Sequence, residues 1–182
     1  MINHGKLKIL IVEDNLVNQR VLEKQLRNLG FVTELANHGG EALEFVKTSS
    51  FWAGRERDGV ELSVILMDLE MPIMDGLTCA RTIRDYEADG TIVKHVPIIA
   101  VTANARLEQI ETAIAAGMVS RIFNHGQLRQ INTQQDDVVS KPFRMPELIP
   151  KIHELVAKPH VLAKPISTVI LNAQAGPSSS KL

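Results

Sequence analysis

The chain has 182 residues, of which 45% are hydrophobic and 23% are charged, and its formal net charge is -1. This length suits one domain of ordinary size with additional segments, and it excludes two full-sized catalytic domains. The balanced charge gives no reason to expect nucleic acid or an acidic membrane surface as a partner.

The cysteine content and the apolar segments exclude further classes. The single cysteine, Cys79, rules out an internal disulfide and a zinc site built from several cysteines, and we interpret it as a small buried hydrophobic residue. No segment has the apolar core of a signal peptide, and no window approaches the ~18 apolar residues of a membrane span. We therefore predict a soluble cytoplasmic protein, with the nucleus as an alternative compartment and no membrane partner.

Short apolar runs rich in branched residues alternate along the chain with segments of helical periodicity. This alternation is typical of βαβ units, in which helices cover both faces of a parallel sheet. The predicted strands are residues 7–12, 31–36, 64–67, 96–101 and 138–140, and the predicted helices are residues 15–29, 40–47, 76–86, 106–116 and 145–157. Right-handed crossovers restrict such a chain to a few doubly wound α/β topologies. Among these we predict the flavodoxin-like (βα)5 type with strand order 2-1-3-4-5, partly by analogy with other small doubly wound proteins.

The predicted domain spans residues 7–157. Residues 1–6 form a short lead, and residues 158–182, which contain several prolines and a serine run, are predicted to be a disordered tail. Residues 48–61 are polar and contain two glycines, so we predict a surface loop there.

Polar residues stand at the carboxyl ends of four predicted strands. Glu13 and Asp14 follow the first strand, Asp68 ends the third, Thr102 follows the fourth, and Lys141 follows the fifth. Because ligands of parallel α/β sheets bind beyond these strand ends, we expect the five side chains at one edge of the sheet.

Three carboxylates at one edge favour a bound cation. A pair of carboxylates ~4 Å apart repels by about 1 kcal/mol in water and about 4 kcal/mol at an effective dielectric of 20. Oxygen ligands without cysteine or histidine select a hard ion, so Mg²⁺ with a phosphoryl group is the simplest interpretation. Taken alone, Glu13 and Asp14 could equally form an exposed loop or cap the following helix, and Asp68 could be an ordinary strand-end residue.

Four segments carry a resemblance to a known family. Residues 9–15 (ILIVEDN), 65–76 (ILMDLEMPIMDG), 98–105 (IIAVTANA) and 139–143 (VSKPF) resemble the four signature blocks of the response regulator receiver domain of two-component systems. With Asn18-Gln19 after the first block, the chain looks most like the C-terminal receiver of a fungal hybrid histidine kinase. The resemblance implies that a phosphohistidine, on a histidine phosphotransfer protein or a kinase domain, donates a phosphoryl group to Asp68.

The same resemblance implies a role for each remaining site residue. Asp14 and Asp68 would bind Mg²⁺ directly, Glu13 would act through water, and the carbonyl of Glu70 would complete the protein ligands. Thr102 and Lys141 would bind the phosphoryl group. Such a domain catalyses its own phosphorylation and dephosphorylation, so whether it counts as an enzyme stays open, and the chain contains no ATP-binding motif.

Two other functions remain open. A metal-dependent phosphatase could use Glu70, two residues after the nucleophile, as a general acid. Alternatively, the chain is a receiver-fold interaction module that takes up no phosphoryl group because an insert disables it.

That insert is residues 119–135, which match nothing in the family and separate two segments that are adjacent in its members. It is either a functional surface loop or, as we prefer, an intron that was translated in frame, since Val119-Ser120 can be encoded by a donor-like GTAAGT and Gln135 by an acceptor-like CAG. Transcripts that all contain the insert would contradict the intron hypothesis. A second departure is Val138, which stands where many receivers carry an aromatic switch residue.

Overall fold

The computed structural model describes residues 4–102, 116, 137–140 and 145–157. Five parallel strands form one sheet in the order β2-β1-β3-β4-β5, so the predicted fold and strand order are confirmed. The strands are β1 (Lys8–Val12), β2 (Val32–Ala36), β3 (Val64–Asp68), β4 (Ile98–Thr102) and β5 (Asp137–Ser140). The described helices are α1 (Leu16–Asn28), α2 (Gly39–Lys47), α3 (Gly76–Ala88) and α4 (Met145–Ala157).

Each boundary lies within two residues of its prediction. The helix predicted at residues 106–116, the insert, the tail and Lys141 lie outside the described residues, except for the buried Ala116. Among the described helices, none combines the length and the apolar composition that a membrane crossing requires.

The strand registers bring three strand ends to one edge of the sheet. Val12 is the last residue of β1, and it pairs with Ala36 on β2 and with Met67 on β3. All three strands run in the same direction, so the residues that follow them emerge side by side.

The sheet has an apolar core on each face because side chains alternate between the two sides of a strand. One core joins the sheet to α2 and α3, and from the three inner strands it takes Leu10, Val12, Ile65, Met67, Ile98 and Ala100. The other core joins it to α1 and α4, and from the same strands it takes Ile9, Ile11, Val64, Leu66, Ile99 and Val101. The central strand β3 is buried along its whole length, as expected for a parallel sheet covered on both faces.

One expectation about the surface needs correction. Residues 48–61 are only partly a surface loop, because Ser49, Ser50 and Phe51 are buried and Phe51 belongs to the core against α2 and α3. Hydrogen bonds from the Ala53 amide to the Thr91 carbonyl (2.9 Å) and from the Val93 amide to the Phe51 carbonyl (2.9 Å) hold this segment against the chain that follows α3. The prediction failed because the segment is mostly polar, although its residue Phe51 packs in the core.

The apolar residues in and next to α1 do not all face the core. Six of them recur at helical spacing, but only Leu22 and Leu26 are buried. The others are exposed to solvent, namely Leu16, Val17, Val21 and Leu29. The interpretation of Cys79 as a buried residue is confirmed, and burial raises the pKa of its thiol to about 12.

A histidine pair joins the start of the domain to α4. His4 Nε2 lies 2.9 Å from His153 Nε2, and the His4 ring stacks on Phe31 at 4.2 Å. His4 Nδ1 lies 2.7 Å from the Leu29 carbonyl, which can only accept, so this nitrogen carries a proton. In neutral His4 the other nitrogen is then the acceptor, and His153 donates to it.

We expect the domain to lose stability as the pH falls from about 6.5, the ordinary pKa of histidine, through the lower pKa of His153 in the folded domain. Burial, followed by the neighbouring His4, lowers the pKa of His153 from its ordinary value of 6.5. Between the two pKa values the unfolded chain binds more protons than the folded chain, so the free energy of unfolding rises with pH across this window. Urea unfolding at several pH values measures the slope, and His153→Gln should reduce it; an unchanged slope in that variant would contradict the assignment.

Candidate metal and phosphoryl site

Three carboxylates meet at the edge of the sheet that the sequence indicated. Oxygens of Glu13, Asp14 and Asp68 all lie within 4.8 Å of one another. Glu13 and Asp14 follow β1 directly, whereas Asp68 is the last residue of β3. Glu13 is 4% exposed and Asp68 is 8% exposed, while Asp14 is open to solvent.

Asp68 is held by the loop that follows β3. The amide of Glu70 donates a hydrogen bond to Asp68 Oδ1 (3.3 Å). The chain then turns into α3, where Gly76 packs so closely that a Cβ on it would lie 2.0 Å from the Asp68 carbonyl oxygen. Asp75 caps α3 by accepting from the Thr78 amide (2.7 Å). The Asp68 carboxylate therefore sits on a buried strand end with closely packed backbone behind it.

The helix cap of α1 removes one alternative for the acidic pair. Asn15 is the N-cap, and its side-chain oxygen accepts from the amides of Val17 (3.0 Å) and Asn18 (3.1 Å). Neither Glu13 nor Asp14 occupies the capping position, and Glu13 is buried rather than exposed in a loop. This arrangement favours a ligand role for the two carboxylates.

The donor set fits a hard divalent cation. It consists of carboxylate oxygens, which Mg²⁺ prefers, and the exposed Asp14 leaves one side of the cluster open to water and to a phosphoryl group. Mg²⁺ bonds to oxygen at about 2.1 Å, so two directly bound oxygens lie at most about 4 Å apart, whereas an oxygen that acts through a water molecule can lie further away. A bound cation would offset the mutual repulsion of three carboxylates that the fold crowds together.

Of the other predicted site residues, the structure describes Glu70 fully and Thr102 by its backbone. Glu70 follows Asp68 by two residues and is exposed, with its amide turned to the Asp68 carboxylate. Thr102 is the last residue of β4 and pairs with Ser140 on β5, which puts its backbone at the same edge of the sheet. Lys141 lies outside the described residues, so its predicted role stays a prediction.

Large apolar side chains are exposed near this edge. Leu16 is 64% exposed and Val17 72% exposed in the first turn of α1, directly after the acidic pair, and Val21 is exposed one turn further on. Ile73, in the loop after β3, is 86% exposed and adopts a left-handed backbone with φ of 68°. The start of α1 follows β1, and the loop with Ile73 follows the neighbouring strand β3. Exposed apolar residues beside a binding site are typical of a protein-binding surface.

Comparison with known proteins places the chain in a family. The response regulator receiver domain matches residues 9–134. The chain is 32% identical over 145 residues to hybrid signal transduction histidine kinase K of Dictyostelium discoideum, covering 78% of this chain and 10% of that protein. It is 34% identical over 140 residues to histidine kinase 5 of Arabidopsis thaliana, covering 65% of this chain and 14% of that protein. The chain thus spans only a small part of the curated relatives that it matches.

Two solved structures resemble the chain in both fold and sequence. The receiver domain of a Pseudomonas aeruginosa sensor histidine kinase, with a magnesium ion coordinated in its active-site cleft, is 34% identical at a TM-score of 0.60 and covers 84% of this chain and 98% of its own. The receiver domain of an Arabidopsis thaliana histidine kinase, complexed with Mg²⁺ and BeF3-, is 26% identical at a TM-score of 0.61, with coverage of 84% and 91%. The fold, the acidic cluster and the sequence match agree, and the chain belongs to the response regulator receiver domain family of two-component signalling.

Proposed function

We propose that the domain accepts a phosphoryl group on Asp68 in a Mg²⁺-dependent reaction and so serves as one step of a phosphorelay. The cluster of Glu13, Asp14 and Asp68 carries this proposal, because it places the nucleophilic Asp68 carboxylate next to two other carboxylates that could hold a cation. Membership of the receiver family and the Mg²⁺ in two similar structures support it.

In the proposed reaction an Asp68 oxygen attacks the phosphorus of a phosphohistidine. The N–P bond breaks, the imidazole leaves with the electron pair and takes up a proton, and an acyl phosphate remains on Asp68. When bound, Mg²⁺ supplies positive charge next to the phosphoryl oxygens. Asp14 and Glu13 would hold the ion, directly and through water, together with the Glu70 carbonyl. Thr102 and Lys141 would bind the phosphoryl oxygens, so that most of the catalysis comes from positioning and electrostatics.

A small phosphodonor tests the proposal. Incubation with acetyl phosphate and Mg²⁺ should raise the intact mass by one phosphoryl group, and addition of EDTA beforehand should prevent this. The alternative is an interaction module that the insert at residues 119–135 keeps from accepting phosphate. Binding of Mg²⁺ without phosphoryl uptake would favour that alternative and contradict the proposal.

The donor we propose is a histidine phosphotransfer protein or a histidine kinase domain. A Saccharomyces cerevisiae histidine phosphotransfer protein has been crystallised with the receiver domain of its downstream response regulator. A chain of that crystal structure is 27% identical to this chain at a TM-score of 0.59, and the match covers 82% of this chain and 88% of the other chain. Leu16, Val17, Val21 and Ile73 would form the docking surface, because they are exposed and lie in the segments that follow the strands bearing the acidic cluster. A receiver from a fungal hybrid histidine kinase, acting in the cytoplasm or nucleus, is the finer assignment that we propose.

Truncation of the docking surface should separate two donors. In the double variant Val17→Ala, Val21→Ala, transfer from a histidine phosphotransfer protein should fall at least about tenfold, because two exposed apolar contacts are lost. Phosphorylation by acetyl phosphate should be unchanged, since both side chains point to solvent. Val32→Ala is the matched control, as Val32 is exposed at the start of β2, away from the site. Equal loss with both donors, or loss in the control, would contradict the docking assignment.

A further inference from the structure

Gln19 is a buried polar side chain that none of the roles described above uses. It lies in the second turn of α1 and is only 2% exposed. A primary amide buried without partners is costly, so its hydrogen bonds show what the surrounding structure requires of it.

The Gln19 amide joins the ends of two neighbouring strands. Its Nε2 donates to the carbonyl of Glu13 (3.0 Å), to the carbonyl of Ala36 (3.2 Å) and to Asn37 Oδ1 (3.3 Å). Glu13 directly follows β1, whereas Ala36 ends β2. The Glu13 amide also donates to the Ala36 carbonyl (3.1 Å), so the backbone at this cluster residue is held from both sides.

The preceding residue of α1 holds the same cluster residue by its carboxylate. Asn18 Nδ2 donates to Glu13 Oε1 (3.3 Å). Two consecutive side chains of one helix thus hold both ends of Glu13. A helix is a rigid support for such contacts. Groups that hydrogen-bond to a metal ligand and orient it influence the affinity of the site for the metal ion.

We propose that Gln19 is a positioning residue for the cation site, aided by Asn18, and that it holds Glu13 in the arrangement that binds Mg²⁺. This inference rests on the proposed function, because it assumes that the cluster binds the ion. The side-chain hydrogen bonds of Gln19 go to Glu13, Ala36 and Asn37 and not to the carboxylates of Asp14 or Asp68. Its effect on the ion would therefore be transmitted through Glu13 and the backbone that connects Glu13 to Asp14.

The Mg²⁺ dissociation constant of the full chain tests the inference, measured by calorimetry without any phosphodonor. Gln19→Met keeps the length of the side chain and removes the donor, and it should weaken Mg²⁺ binding about 10- to 100-fold. Leu22→Ala is the matched control: it removes a buried apolar contact of the same helix and lowers the unfolding midpoint without touching Glu13. Its Mg²⁺ affinity should remain within about twofold of wild type, under conditions where circular dichroism shows both variants folded.

Asn18→Ala decides the question even if Gln19→Met does not fold, because Asn18 is exposed and its loss threatens no core. It should weaken Mg²⁺ binding several-fold at an unchanged unfolding midpoint. Wild-type affinity in both variants, or in Asn18→Ala alone when the other is unfolded, would overturn the positioning role and leave the proposed function intact. Absence of Mg²⁺ binding in the wild type would instead refute the proposed function itself.

Discussion

An Asp68→Asn variant is expected to take up phosphoryl groups from acetyl phosphate at least about 10³-fold more slowly than the wild type. The amide that replaces the carboxylate lacks a nucleophilic oxygen, and the cluster of Glu13, Asp14 and Asp68 loses one of its three charges. Intact-mass spectrometry at fixed Mg²⁺ measures the remaining rate. Full labelling of the variant would show that the acceptor is another residue.

The matched control for this experiment is Glu70→Gln. It changes an exposed carboxylate only two residues away, and it keeps the backbone amide that donates to Asp68 Oδ1 and the carbonyl proposed as a ligand. We expect the rate of phosphoryl uptake to stay within about threefold of wild type, because the Glu70 side chain takes part in no step of the proposed reaction. Turnover of a phosphomonoester that disappears in Glu70→Gln would instead revive the phosphatase hypothesis, in which Glu70 is the general acid.

The second large effect is expected at Gly76. A Cβ at this position would lie 2.0 Å from the Asp68 carbonyl oxygen and 2.9 Å from Met67 Cγ. The backbone of Asp68 cannot move away easily, because it pairs with Val101 in the middle of the sheet. Gly76→Ala should therefore lower the free energy of unfolding by about 3 kcal/mol or more, measured by urea denaturation. Any variant that folds should also bind Mg²⁺ poorly, since the strain acts on Asp68, which we propose as an Mg²⁺ ligand.

Gly40→Ala is the control for that substitution. Gly40 is also in the first turn of a helix, but its Cβ would meet only the His38 ring, at 3.1 Å, and this side chain can shift. Alanine has the higher helix propensity, so the free energy of unfolding should change by less than about 1 kcal/mol. Similar losses for Gly40→Ala and Gly76→Ala would show that the close approach to Asp68 is not the cause.

Local patterns in the sequence were sufficient for the fold and for the main site. Alternating apolar runs and helical segments predicted every described strand and α-helix, because a parallel sheet covered on both faces requires buried strands and one-sided helices. The convergence of Glu13, Asp14 and Asp68 was also predictable. Residues that follow parallel strands must emerge at the same edge, so their positions follow from the strand assignment alone.

Other features depend on which side of an element faces the core. The apolar periodicity of α1 did not separate the buried Leu22 and Leu26 from the exposed Val17 and Val21, because a helix carrying apolar residues around much of its circumference presents more than one possible face. The polar stretch around Phe51 was read as a surface loop for a related reason. One aromatic residue in a polar segment is too weak a signal until the gap that it fills is known.

Sequence patterns alone were enough to predict the parallel α/β fold and the acidic cluster, because these follow from patterns that repeat within a few residues. The strand order needed in addition the analogy with other doubly wound folds. The folded arrangement was needed to find that Gln19 joins the ends of β1 and β2 and that His4 contacts His153. These contacts link residues that are far apart in the chain or whose partner is a backbone carbonyl, which any residue type can supply. Their identity depends on the packing distances between elements, and side-chain types alone do not encode those distances.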